Sequence, residues 1–574
     1  MEKLQQQLAV ARGETAAQVV FRNARIINVL SGEIHDGDVA VHDGMIVGIG
    51  AYEGETVIDC GGRYLAPSLI DAHIHIESTM LTVGEFARAV VPHGTGAVIV
   101  DPHEFANVLG ADGIEYVLDA AEQLPLDVFV MMPSCVPATP LESAATRLTA
   151  TDILLYTGKE RVLGVAELMN FPGVYLGMES ELDKIYAARG KRVDGHAPGL
   201  SGPNLNAYIH AGVRSDHECT TLEEAQEKLR RGMQILMREG TAERNLHDLL
   251  PLVTDHNATQ FSFATDDKHP ADLEDEGHID HHVREAIRFG LDPMTALRIA
   301  TINTARHYRM DAHGAIAPGC HANMMLFSDL NDIRPEEVFF RGKRVARDGD
   351  YTAAPVDSPD MSRMTSTMHV GDFWMESFRV PMVPRTQLKV IDLVPRQIIT
   401  RAATAAPHVV NDYVEADTQR DILKLAVIER HNATGNIGLG FVRGFGLREG
   451  ALASTVAHDA HNIIVVGTND LDMYAAALQL IRMGGGQCVV SGTRVIEELP
   501  LPIAGLVSDQ PLEFVRKKVG ALISAAQSIG CVLPDPFMTL SFLALSPIPA
   551  LKVTDQGLVD AEKFVLTSLL IEDT

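Results

Sequence analysis

The segment Pro67-Ser68-Leu69-Ile70-Asp71-Ala72-His73-Ile74-His75-Ile76-Glu77 ends an apolar run in two histidines spaced i and i+2. On an extended strand successive side chains alternate faces, so His73 and His75 share one face while Ile74 and Ile76 take the other. Two imidazoles converging at the end of a buried strand can hold a divalent cation, and such a cation brings water within reach of ionisation near neutral pH. The same pair could be two strand histidines satisfied by ordinary hydrogen bonds. Taken alone, the pair does not decide between the two.

Further residues of the same chemistry recur where short apolar strands end. Eight strands are expected, over 66–75, 97–102, 127–133, 162–168, 192–196, 211–217, 234–239 and 260–266, with helical patterns between most of them. The stretch 221–231 is one such helix, acidic at its start and basic at its end as the helix dipole prefers. Eight β-α repeats predict a closed (β/α)8 barrel, whose strand C-termini build the site. An open doubly wound sheet is the alternative, but no Gly-x-Gly-x-x-Gly follows the first strand to make a dinucleotide site. The strand ends supply His73 and His75, then Glu167, His196, His217 and Asp266. Four histidines and two carboxylates at one mouth suffice for two metal ions, and Glu167 is the group placed to bridge them. Such a donor set, without thiolate, suits zinc, iron(II) or manganese(II).

Around this barrel, residues 17–65 read as short strands and turns, and 314–327 with 335–345 return to that character. The division expected is 1–65 as an N-terminal segment and first part of a small β-sandwich, 66–310 as the barrel, and 311–351 as the rest of the sandwich. Residues 352–370 form a linker rich in Ser, Thr, Pro, Asp and Met, and 371–574 an additional α+β C-terminal domain. Within the last, strands are expected at 387–393, 423–428 and 463–466. A helix follows at 470–483, capped by Asn469 and stopped by Gly484-Gly485-Gly486. Those glycines are read as a helix end, since no Lys-Ser/Thr follows to make a phosphate cradle.

At 574 residues the chain is too long for one compact domain, and 46% hydrophobic with 22% charged residues describes a soluble globular enzyme. A formal charge of −28 argues against nucleic acid or an anionic membrane as partner. Six scattered cysteines show neither a disulfide framework nor a Cys-x-x-Cys zinc motif. The start, Met1-Glu2-Lys3-Leu4-Gln5-Gln6-Gln7, lacks a signal-peptide pattern, and no apolar run of about 20 residues follows. A cytoplasmic location is expected.

With Asp71-Ala72-His73-Ile74-His75, His196, His217 and Asp266, the barrel and its flanking β segments resemble the amidohydrolase superfamily. Many binuclear members carry a carboxylated lysine on strand four, where this chain has Glu167. Longer segments narrow the resemblance to the bacterial adenine deaminase family: Asp101-Pro102-His103-Glu104, Pro133-Ser134-Cys135-Val136-Pro137-Ala138-Thr139, Gly195-His196-Ala197-Pro198-Gly199-Leu200, Arg238-Glu239-Gly240, Thr265-Asp266-Asp267-Lys268-His269-Pro270, and His458-Asp459-Ala460-His461-Asn462 in the C-terminal region. The His-x-Glu with Pro-Cys-x-x-Cys pattern of the zinc deaminases of another fold is absent.

The resemblance implies hydrolysis of adenine to hypoxanthine and ammonia, in purine salvage, by two divalent ions. Manganese or iron would be the metal, with zinc possible, and the assembly a homodimer. His73, His75 and Asp266 would hold one ion, His196 and His217 the other, with Glu167 between. Asp266 would move the proton from water to the leaving amine. Glu104, beside His103, is the candidate to protonate ring nitrogen N1, or the pair belongs to a network orienting the ligands or to an accessory metal site. Ser134, Cys135 and Asn170 are candidate purine contacts. His458, Asp459 and His461 could cap the mouth, bind another metal or form a structural turn. His278, His281 and His282 are expected on a solvated face. Alternatives are a cyclic amidase or deacetylase with the same metals, or a non-catalytic scaffold, against which six intact ligand positions weigh.

Overall fold

The computed structural model describes residues 1–356, 359–395 and 397–572. Its centre is a parallel sheet of eight strands in sequential order: Leu69–Ile74, Thr95–Val100, Asp127–Pro133, Val162–Leu168, Arg192–Gly195, Ser215–Asp216, Gln234–Arg238 and Phe261–Ala264. Between the last strand and the first, the ring closes at one end only. Ile74 bridges Asp266 in parallel, Asp266 N donates to His73 O (3.0 Å) and His75 N to Asp266 O (3.4 Å). The closure is therefore made by the same residues that carry candidate ligands.

Two expected strands differ from what forms. The first, placed at 66–75, is split. Tyr64–Pro67 pairs antiparallel with Met324–Phe327 outside the barrel, and Ser68 N donates to Asn323 O, so the barrel begins at Leu69. Both halves are apolar and buried, and periodicity alone cannot tell which sheet a buried run joins. The sixth, placed at 211–217, is only Ser215–Asp216. Ala211 belongs to the preceding helix Gly202–Ala211, which Gly212 ends with φ +129°.

Outside the barrel, Ala17–Pro67 and Met324–Tyr351 contribute the strands of one continuous nine-stranded sheet. That sheet folds over itself, and Phe21 from its first strand meets Phe339 edge-on at 4.8 Å. This is the small β-sandwich in a form where both layers belong to one sheet. The C-terminal region holds a second nine-stranded sheet. The helix Asp470–Arg482 packs on it, with Asn469 accepting from Asp472 N and Gly484 (φ +76°) just beyond its end. The connection between its paired strands Ala451–Ser454 and Ile463–Gly467 carries His458, Asp459 and His461. Contacts such as Thr139 Oγ1–Ser546 Oγ (2.7 Å) and Asn462 Nδ2 to Ser143 O (2.8 Å) tie this region to the barrel loops. Among the described residues no helix is long and apolar enough to cross a membrane.

Candidate active site

At the C-terminal end of the barrel strands, His73, His75, Glu167, His196, His217 and Asp266 come together, all buried. His73, His75 and Asp266 bring one potential ligand atom each within 4.8 Å of one another, as do His73, Glu167 and His217. Glu167 divides its two oxygens. Oε1 lies 3.3 Å from His75 Nε2, and Oε2 lies 2.6 Å from His196 Nδ1 and 3.0 Å from His217 Nε2. A carboxylate arranged this way can bridge two cations. Asp266 divides its oxygens as well: Oδ1 faces His75 Nε2 (3.2 Å) and His73 Nε2 (3.6 Å), while Oδ2 accepts from Arg238 Nη1 (2.8 Å).

The donor set fits divalent ions chemically. His75 Nδ1 lies 2.9 Å from Asp101 O, a contact only an N–H can make, which leaves Nε2 as the ring nitrogen available to a cation in the cluster. Burial would raise the Glu167 carboxyl, but His196 and His217 outweigh it and hold it well below the ordinary carboxylate range. Burial opposes ionisation of Asp266 too, and there His73, His75, His217 and Arg238 prevail. Both acids are thus kept in the charged form that ligation requires. At Asp266 the backbone itself is left-handed, φ +58°, an uncommon conformation of the kind that clusters at functional sites.

A layer of polar residues holds this cluster in place. Asp71 accepts from Thr265 N (3.1 Å), Thr265 Oγ1 (2.5 Å) and His73 N (3.2 Å), and His278 Nε2 lies 3.0 Å from its Oδ2. His278 and His282 are fully buried, and His282 Nε2 lies 2.9 Å from Ala264 O. The expectation of a solvated face is overturned for both, and only His281 is partly exposed. The helix Ile279–Arg288 is amphipathic and packs against the first and last barrel strands, with His278 immediately before its first residue and His282 on its buried side.

A narrow cleft opens beside the cluster. Its polar wall includes His103, Glu104, Glu218, Arg238, Glu243 and Asp267, and its apolar wall Met169, Ile398, Phe542 and Leu545. His458 and Asp459 line it from the C-terminal region, and the His458 ring stacks on Phe542 at 4.9 Å and 15°. Glu104 Oε1 accepts from His458 Nδ1 (3.0 Å), and Ser78 Oγ lies 3.1 Å from the same oxygen. His103 Nδ1 lies 3.2 Å from Asp101 Oδ2. His461 sits behind, its Nδ1 accepting from Ala457 N (3.1 Å), which closes a tight turn.

Of the three candidate purine contacts, Ser134 donates to Glu167 O (2.5 Å) and so braces the bridging residue. Cys135 packs with Met169 and Phe542 behind the cleft wall and beside Asp101 and His103. Asn170 spends its side-chain oxygen on Gly173 N (3.0 Å) as the cap of the helix Phe171–Tyr175, and neighbouring Met169 lines the cleft instead. Sequence reasoning missed Glu243, both of whose oxygens are buried without a hydrogen-bond partner among the described residues, and whose carboxyl burial and Asp267 push up to about 8. It lies just past Arg238-Glu239-Gly240, the only signal in the sequence that pointed near it. The four apolar wall residues carry no chemical signature at all.

Residues 64–345 match the amidohydrolase family, and 397–565 match the adenine deaminase C-terminal domain. The chain is 48% identical over 570 residues to an adenine deaminase of Desulfatibacillum aliphaticivorans, covering 98% of this chain and 99% of that protein. It is 49% identical over 564 residues to that of Dehalococcoides mccartyi (98% of each) and 46% over 572 residues to that of Methanothrix thermoacetophila (99% and 100%). Among solved structures, a crystal structure of an adenine deaminase is similar over 57% of this chain and 99% of its own, at 16% identity and a TM-score of 0.45. With relatives this similar over nearly their whole length, the chain belongs to the adenine deaminase family of amidohydrolases.

Proposed function

We propose that this protein hydrolyses adenine to hypoxanthine and ammonia with two divalent ions. The observation that carries the proposal is Glu167, whose two oxygens face separate sets of imidazoles. The adenine assignment draws on relatives named adenine deaminase along the full length. His73, His75 and Asp266 would hold one ion and His196 and His217 the other, with Glu167 shared. Manganese or iron is the metal favoured, with zinc as third choice. Bound there, the ions would lower the pKa of water toward neutrality and supply the nucleophile.

The chain's own groups do the rest. Asp266 draws a proton from the attacking water and passes it to the departing amine, its charge maintained by Arg238 until the proton arrives. Met169, Ile398, Phe542 and Leu545 form the dry surface on which a flat purine packs, and Glu104 with His103 serve the ring-nitrogen side. The barrel of 66–310 would carry the ligands, 1–65 with 311–351 the flanking sandwich, and 371–574, joined through 352–370, the far wall of the cleft. We extend the proposal to a cytoplasmic homodimer acting in purine salvage.

Apoprotein reconstituted with manganese, iron(II) or zinc and assayed with adenine tests this directly. Ammonia release at two ions per chain is expected. Silence with all three metals, each verified as bound, would exclude adenine as substrate.

A further inference from the structure

Hydroxide adding to C6 of adenine pushes an electron pair onto N1, which must be protonated as the tetrahedral carbon forms. The acid that supplies this proton has to line the cleft, carry a proton and point in a fixed direction. Most polar residues of the cleft fail one of these conditions. Glu218 is paired with Arg238, and Asp267 with Ser78. His103 is held at Nδ1 by Asp101 much as His458 is by Glu104, but its Nε2 faces the Asp459 carboxylate at 3.6 Å. Glu104 is an acceptor: His458 Nδ1 and Ser78 Oγ both approach its Oε1.

His458 meets all three conditions. Its Nδ1 is held by Glu104 at 3.0 Å and its ring is fixed face to face on Phe542, while Nε2 is buried with no hydrogen-bond partner among the described residues. We propose that His458, delivered by the C-terminal region, is the catalytic acid that protonates N1 through Nε2, with Glu104 as the residue that positions it. The proposal rests on the site deaminating adenine. A charge on His458 is disfavoured by burial, but the facing carboxylates Glu104, Asp267 and Asp459 outweigh both burial and the nearby His461, raising the imidazole to about 9. At neutral pH Nε2 therefore bears a hydrogen to give. Glu243 is the rival acid, but no hydrogen bond from the described residues fixes its direction.

The balance closes on one water and one adenine. Water oxygen bonds to C6, the N1=C6 π pair moves to N1, and N1 takes the Nε2 proton. The exocyclic C6–N bond breaks as the amine leaves with the proton that Asp266 drew from the water. The remaining hydroxyl proton is released as C6=O forms and restores His458.

Three variants of the metal-loaded enzyme test the role. His458→Asn keeps the hydrogen bond to Glu104 but has no Nε2, and kcat should fall by roughly 10²- to 10⁴-fold, with KM and metal content little changed. His458→Ala should regain part of its rate when imidazole is added, which a structural role would not allow. Glu104→Gln should move the basic limb of the pH profile to lower pH, because the imidazolium loses its counter-charge. His458→Asn within about threefold of the wild-type kcat overturns the proposal, and an unmoved limb removes Glu104 from it. Whatever the variants' folding, a crystal structure of the holoenzyme with hypoxanthine decides: N1 should lie about 3 Å from His458 Nε2, and N1 on Glu243 or another group refutes the assignment. Absence of adenine turnover by wild-type enzyme would be a failure of the substrate reading instead.

Discussion

Glu167 does two jobs that pull on different properties of one side chain. As a bridge it needs two equivalent oxygens and a full negative charge, and the surrounding imidazoles hold it charged against the pull of burial. Glu167→Gln preserves its volume while leaving one acceptor oxygen and placing an N–H₂ against His75 or against His196 and His217. Metal content should fall below two ions per chain. Adenine turnover should drop by at least the roughly 10- to 100-fold that loss of an orienting partner costs a metal site. Metal analysis beside a steady-state assay reads both, and a variant with two tightly held ions and ordinary turnover would show that Glu167 does not bridge. Asp266 also divides its oxygens, but Arg238 holds one of them, so its charge is secured without a second ion.

At the scale of elements, the barrel closes through its ligands, and the helix Ile279–Arg288 locks that closure. His278 spans Thr95 on the second strand (Oγ1–Nδ1 2.8 Å) and Asp71 on the first, which itself grips Thr265 beside Asp266. His278→Phe would keep a ring against Phe86 but strand the Thr95 hydroxyl, at about 1–3 kcal/mol for a buried group left unpaired, and remove the imidazole that faces Asp71 Oδ2, which keeps its bond from Thr265 Oγ1. The expected outcome is a lower unfolding temperature and roughly tenfold weaker metal binding, with near-normal kcat at saturating metal. Calorimetry and metal titration check it, and undiminished metal affinity would mean that the helix does not transmit order to the ligands. The same element marks where reading the sequence ran out. Strand ends were legible because period-two alternation and the barrel's fixed chain direction say which residue faces the mouth. His278 and His282 were misread because an acidic flank suggested solvent, whereas burial of a polar face depends on what packs against it. Ser68 and Ala211 show the limit at boundaries, where apolar runs pass from one sheet or helix into the next without a change of composition.

At the scale of the whole molecule, the site is finished by a region far along the chain, and no sequence pattern could place Glu104 against His458 or Asn170 away from the cleft. The far wall depends in turn on Lys552, which is buried with no carboxylate partner among the described residues and donates to Ile398 O (2.7 Å) and Phe542 O (2.9 Å), the backbone of two wall residues. Burial lowers its amine from about 10.5 to about 7. Because the folded value lies below the unfolded one, the unfolded chain binds more protons between these values. The penalty is complete below pH 7 and is relieved as pH rises toward about 10.5, by up to about 1.4 kcal/mol per pH unit. Lys552→Met fills a similar volume and has nothing to titrate, although it leaves two carbonyls without their donor. The stability of wild type relative to Lys552→Met should therefore grow between pH 7 and 10, read from denaturant unfolding at several pH values. KM for adenine should rise in the variant at every pH, since Ile398 and Phe542 lose the anchor that holds both to one point. A stability difference that stays constant across that range would mean that Lys552 is charged in the folded protein, and that the wall is built around an ammonium ion.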